Sequence, residues 1–234
     1  MTSKLPIAFG IAGAAYLAYN CYAPTSQLYG RTTTHCDNPK HLALTYDDGP
    51  NDVHTERLLE VLARYEVKAT FFLIGRFVTA RPQIARAIAD AGHLLANHTE
   101  THPNLLFLSR SRLVHQFSDC SKAIADATGV RTRYCRPPFG ARRPTVLQVA
   151  RELGLEPVMW SVTCYDWHRR ATADSVLNHA RKGIERSHAR GHIILLHDGG
   201  HTNLGQDRSH TVEATERLLQ RYGKEYYFRR LDQI

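Results

Sequence analysis

The chain has 234 residues, enough for one sizeable α/β domain with a full core. Apolar residues make up 43% and charged residues 22%, a globular balance that excludes a disordered or fibrous chain. The net charge of +8 favours anionic partners, but no compact basic stripe is interleaved with aromatics, so an anionic cell-surface polymer fits better than nucleic acid.

Lys4 is the only charge before Arg31, and Leu5–Ala18 is almost wholly apolar. This pattern predicts an export signal within residues 1–30, either cleaved or kept as a membrane anchor. The protein is then expected in the periplasm, at the cell surface or anchored in the membrane. After residue 40, strand and helix patterns alternate. Strands are predicted at His41–Tyr46, Val67–Ile74, His93–Asn97, Thr132–Cys135, Pro157–Val162, His192–His197 and Tyr226–Leu231. Helices are predicted at Val53–Tyr65, from Pro82 to Gly92, from Ser109 to Gly129, and at Pro144–Leu153, Ala173–Ser187 and His210–Tyr222. Pro82 opens its helix at the first turn, and Leu113, Phe117, Cys120 and Ile124 recur at helical spacing before the Gly129 cap. Alternation of this kind predicts a parallel sheet with helices outside. Closure into a barrel is plausible at this length, although a regular eight-fold barrel takes about 250 residues.

The five cysteines, Cys21, Cys36, Cys120, Cys135 and Cys164, form no CxxC. That argues against a zinc knuckle or thioredoxin-type site and for buried free thiols. The chemistry lies elsewhere. Asp47, His98, Arg136, Asp166 and His197 each fall at or just past the C-terminal end of a predicted strand, the edge that carries chemistry in parallel sheets. Asp47 and Asp48 are neighbours before the Gly49-Pro50 breaker, so a turn there lets both reach one site. Two such carboxylates can divide the work: one binds a metal, and the other accepts a proton. His98 and His102 lie four apart, with Pro103 ending any helix. Glu100 is misplaced for HExxH, which argues against that class of metalloprotease. Asp48, His98 and His102 make a two-histidine, one-carboxylate set that suits a hydrolytic zinc and also resembles the non-haem iron triad. Arg136 opens a rigid Pro-Pro-Phe-Gly loop and can brace a carboxylate, or the segment is simply a turn. Trp167 is either a sugar-stacking wall or core. His197 is placed to act as a general acid. The other eleven histidines, such as His115 and His179, read as surface or packing residues.

Five segments occur in order: Thr45-Tyr46-Asp47-Asp48-Gly49-Pro50, His98-Thr99-Glu100-Thr101-His102-Pro103, Arg136-Pro137-Pro138-Phe139-Gly140, Asp166-Trp167 and Leu195-Leu196-His197. On these the chain resembles the polysaccharide deacetylases of carbohydrate esterase family 4, the NodB homology domain, over roughly residues 38–231. The resemblance implies a distorted (β/α) barrel of about seven parallel strands and a divalent metal, zinc first and cobalt second. It implies Asp47 as general base, Asp48, His98 and His102 as metal ligands, and His197 as general acid. Arg136 would hold Asp47, and Asp166 would tune His197. The backbone N–H of Tyr46, with Pro138, Phe139, Trp167 and Leu195, would meet an acetylated polysaccharide. The implied reaction removes N-acetyl groups from an amino-sugar polymer of peptidoglycan or chitin type and releases acetate. An O-acetyl xylan esterase, a deacetylase of a lipid-linked sugar and an inactive carbohydrate-binding protein are the alternatives. Loss of Asp47 or His197 would mark the last of these, and both are present. Two positions depart from the family pattern. Thr163 stands where many members carry an extra aspartate, and Phe139 stands where tyrosine is frequent. Both bear on substrate preference and on the tuning of His197.

Overall fold

The computed structural model describes the backbone of residues 4–234 and the side chains from residue 13 onward. The first three residues of the expected export segment therefore lie outside the described residues. The chain opens with helix α1 (Lys4–Tyr22), and among the described residues no helix is long and apolar enough to cross a membrane. There follow β1 (His35–Cys36), β2 (His41–Gly49), α2 (His54–Arg64), β3 (Thr70–Leu73), α3 (Gly75–Ala80), α4 (Pro82–Asp90), β4 (Leu94–Asn97) and α5 (Arg110–Thr128). The second half comprises β5 (Tyr134–Cys135), α6 (Pro144–Glu152), β6 (Glu156–Pro157), β7 (Val162–Thr163), α7 (Ala173–Ile184), β8 (Gly191–His197), α8 (Ser209–Tyr222) and β9 (Tyr227–Phe228).

All strands join one curled, mostly parallel sheet. Its order is β1-β8-β2-β3-β4-β5-β6, with β7 on β8 and β9 on β2. The seven expected strands correspond to β2, β3, β4, β5, the split pair β6 and β7, β8 and β9, all paired in parallel, and β1 adds an antiparallel edge. The expected strand at Pro157–Val162 is two short pieces. β6 pairs with β5 at one edge and β7 with β8 at the other, so Val158–Ser161 crosses the opening between the two edges. Val158 N donates to Cys135 O on one side, and Ser161 N donates to Ile193 O on the other. The expected strand at Thr132–Cys135 shrinks to its last two residues, and that at Tyr226–Leu231 ends in a 3-10 turn from Leu231.

Strand alternation sorts the core into two layers. On β2, Leu42, Leu44 and Tyr46 point outward and pack with Leu58, Leu62, Ile124 and Leu218 of the helices. Ala43 faces inward, packed with Phe72, Ala96, Ile193, Leu195 and Trp160. Thr45 and Asp47 share that inner side by the same alternation. All five cysteines are free and four are buried, as expected. Burial pushes the Cys36 thiol up to about 12.

The segment before β1 is fastened by Arg142, itself only 1% exposed. Its guanidinium donates to the carbonyls of Ala23, Ser26 and Gly140, and its backbone N–H donates to Cys21 O. One buried cation thus ties residues 21–26 to the loop that carries Phe139.

Candidate active site

The two adjacent aspartates reach one site by a bulge. β2 does not stop at Asp47. Its register with β3 shifts between Asp47 and Gly49, and Asp48 takes a left-handed conformation, φ 70°. Asp47 keeps the inward direction of the strand. Asp48, which regular alternation would send outward, is rotated back toward the same side. Both carboxylates are buried.

Asp47 is held by Arg136. Its Oδ1 accepts from Arg136 Nη1 at 2.7 Å. The same nitrogen donates to Thr45 Oγ1, and the remaining guanidinium nitrogens donate to the carbonyls of Val158 and Met159. The guanidinium also lies 4.0 Å from the centre of the Phe72 ring. Arg136 is fully buried and every arm is engaged, so it is a brace and more than a turn residue.

The histidine segment is not a helix. Thr99 and His102 both have positive φ, at 69° and 58°, and His102 N donates to Thr99 Oγ1. His98 Nδ1 donates to Arg136 O at 2.8 Å, which fixes the ring with its Nε2 facing inward. Asp48 Oδ1 lies 3.5 Å from His98 Nε2 and 3.2 Å from His102 Nε2. Burial first, then His98, pushes His102 down to about 3, so its ring is neutral near pH 7. Three candidate ligand atoms therefore converge within 4.8 Å of one another, and Asp48 Oδ1 is buried without a hydrogen-bond partner. A divalent cation supplies what this arrangement lacks, so the donor set fits one. When bound, such an ion supplies Lewis acidity and lowers the pKa of a coordinated water.

Across the site, His197 Nδ1 is bonded to Asp166 Oδ1 at 2.8 Å. Asp166 Oδ2 accepts from His197 N and Thr211 Oγ1, so the carboxylate is fixed. Burial opposes the imidazolium, but Asp166 and then Asp48 and Asp47 outweigh it and raise the His197 pKa. Burial likewise opposes the Asp166 carboxylate, and His197 outweighs it and lowers the pKa. The Nε2 edge is left free, and the side chain remains 12% exposed.

A cleft of about 480 Å³ gathers Asp47, Asp48, His98, His102 and His197 with Phe139, Trp167 and Leu195. Phe139 has its ring edge-on to His102 at 4.6 Å and is 51% exposed. Trp167 is edge-on to His197 at 5.2 Å, a wall rather than core. Two expected contact residues are not in the cleft. Tyr46 is fully buried, stacked on Phe71, with its hydroxyl bonded to Thr215 Oγ1. Strand alternation sends it to the helix side, and β2 is flanked by paired strands at that position. Pro138 is buried beneath the Phe139 turn.

Two residues escaped the sequence reading. His201, set aside with the surface histidines, stacks on His102 at 4.6 Å, with Nδ1 3.9 Å from Asp48 Oδ2. Asp198 is buried against Gly49 and accepts from Thr55 Oγ1. Burial pushes its pKa up to about 7. The signal available was the run His197-Asp198-Gly199-Gly200-His201, which repeats the four-residue spacing of His98 and His102. A larger cleft of about 960 Å³ opens at the other end of the strands. There Arg133 is paired with Glu156 and Arg190 with Asp37, so it holds ion pairs and no catalytic set.

Residues 34–158 match the sequence profile described as polysaccharide deacetylase, over half of the chain. A chitooligosaccharide deacetylase from Sinorhizobium fredii is 42% identical over 144 residues, covering 60% of this chain and 67% of the relative. A peptidoglycan-N-acetylglucosamine deacetylase from Bacillus cereus is 35% identical over 142 residues, covering 61% of this chain and 51% of that protein. Among solved structures, a peptidoglycan N-acetylglucosamine deacetylase bound to an N-hydroxybenzamide compound superposes with a TM-score of 0.77 at 29% identity. That match covers 86% of this chain and 91% of the other. With the barrel-like fold and the converging Asp-His-His set already in place, these matches fix the family: the chain belongs to the polysaccharide deacetylases, a family of hydrolases.

Proposed function

We propose that the protein is an exported, zinc-dependent N-deacetylase of an amino-sugar polymer, with peptidoglycan as first choice and chitin oligosaccharides as second. The observation that carries this is the pairing of two opposed proton-transfer groups around one metal-binding set. Asp48, His98 and His102 would hold the ion. Asp47, oriented by Arg136, takes a proton from the attacking water. His197, whose pKa Asp166 raises, gives one to the departing amine. Phe139, Trp167 and Leu195 border the sugar. One named relative is a chitooligosaccharide deacetylase and the other a peptidoglycan-N-acetylglucosamine deacetylase, which favours the amide of an amino sugar over an O-acetyl ester.

Export is part of the proposal and rests on the apolar run after Lys4. Mass analysis of the mature protein from its native host tests it. A full-length cytoplasmic product would overturn it.

The reaction is tested by acetate release from purified protein, zinc-loaded against chelator-treated, on peptidoglycan, chitin oligomers and acetylated xylan in parallel. Zinc-dependent release from an N-acetylated polymer is expected. Release from xylan alone would move the assignment to the esterases. Absence of release from all three would redirect it to a lipid-linked sugar or a binding role.

A further inference from the structure

We infer that Arg169 reads a carboxylate on the substrate, so that the cleft selects an anionic glycan strand over a neutral one. The inference rests on the deacetylase reading above and narrows its substrate class. It begins with the charges that line the cleft. Asp47 is matched by Arg136. Asp48 belongs to the metal-binding set. Arg208 is buried and donates to the carbonyls of Gly199 and Asp166. Arg169 is the charge left over. It lines the cleft, is exposed, and among the described residues its guanidinium makes no hydrogen bond or ion pair.

Its position gives that free cation a use. Arg169 lies two residues beyond Trp167, whose ring abuts the general acid His197. Tyr165 packs 5.3 Å from Trp167, and the two rings are 48% and 42% exposed. They form an aromatic ledge beside the reacting centre, and such ledges take the apolar face of a sugar ring. The sugar on that ledge brings its substituents toward Arg169. A guanidinium offers a planar fork of donors that matches a carboxylate in two bonds, and it matches hydroxyl and acetamide groups less well. An unmatched cation in a cleft also draws anions from solution. The carboxylate could sit on the sugar itself or on a peptide attached to it.

The test is acetate release by the full zinc-loaded chain on three substrates of similar length. These are neutral chitin oligomers, peptidoglycan strands carrying their peptides, and the same strands stripped of peptides. For each protein the readout is the ratio of kcat/KM on a carboxylated strand to kcat/KM on the neutral oligomer. Arg169→Ala is expected to lower that ratio about three- to fivefold, mainly through KM, as one exposed charge pair allows. Arg169→Glu should lower it further. Added salt should lower the ratio for the wild type and leave it flat for Arg169→Ala. Loss on stripped strands assigns the carboxylate to the sugar, and loss only on peptide-bearing strands assigns it to the peptide. An unchanged ratio in both variants overturns the inference. Acetate from none of the substrates with the wild type defeats the deacetylase reading itself, a result distinct from an active enzyme with no charge preference.

Discussion

Asp47 and Asp48 are adjacent and chemically identical, and the fold gives them different work through their neighbours. Asp47 faces a guanidinium, and Asp48 faces the Nε2 atoms of two imidazoles. Asp47→Asn is therefore expected to retain zinc and to lose about two or more orders of magnitude in kcat, the usual scale of a general base. His98→Ala should instead lose the metal, which elemental analysis of the purified variant would show directly. Equal zinc content in both variants would overturn this division of roles. The pair Asp166–His197 governs pH. Its carboxylate raises the His197 pKa, so His197 serves as an acid below that raised value and the rate falls as pH climbs through it. In Asp166→Asn the burial that opposes the imidazolium acts without its counterweight. The alkaline limb of the kcat/KM profile should then move to lower pH, and an unmoved limb would remove Asp166 from the tuning role. The same pair bears on stability. Asp166 is held below its ordinary value, so its contribution is present above the unfolded pKa and is lost as pH falls through the folded one.

At the scale of elements, the helices were legible because their apolar faces repeat at helical spacing and proline or glycine marks their ends. The Ser109–Gly129 segment is the clearest case: Ser109 accepts from Arg112 N, and Gly129 closes the helix at φ 75°. Strands were less legible where pairing decides their length. Nothing local in Pro157–Val162 says that its middle must cross from β5 to β8. The short α3 went unseen because six residues leave little periodicity to read. At the site, Asp47, Asp48, His98, His102 and His197, which converge in the cleft, were visible in three local motifs. The outward side chain of Tyr46 and the approach of His201 depend on register and loop path. Close packing at the sheet edge offers a further check. A Cβ on Gly191 would lie 2.3 Å from the carbonyl oxygens of both Asn38 and His41, where β1 meets β8. Gly191→Ala should cost about 1–3 kcal/mol, because backbone atoms cannot turn aside as a side chain can. Thermal melting of the variant, lowered by roughly 2–12 °C for a chain of this size, is the measurement.

Across the whole molecule, Arg142 joins the N-terminal segment to the catalytic face through carbonyls of Ala23, Ser26 and Gly140. Arg142→Ala leaves those acceptors without their charged donor, at about 2–3 kcal/mol. The expected signs are a lower melting temperature and faster proteolytic cleavage within residues 20–34. Wild-type resistance there would show that the segment is held by other contacts. A different property emerges from the backbone. Among the described residues, six non-glycine residues have positive φ, and five of them, Asp48, Thr99, His102, Phe139 and Tyr165, belong to the segments that build the site. Each such conformation costs about 1–3 kcal/mol, whereas glycine takes it freely. Evolution for heat resistance alone would therefore meet its easiest gains at the residues the chemistry needs. A laboratory lineage selected only for folding should drift to a sturdier, inert barrel, with catalysis eroding first at these left-handed positions.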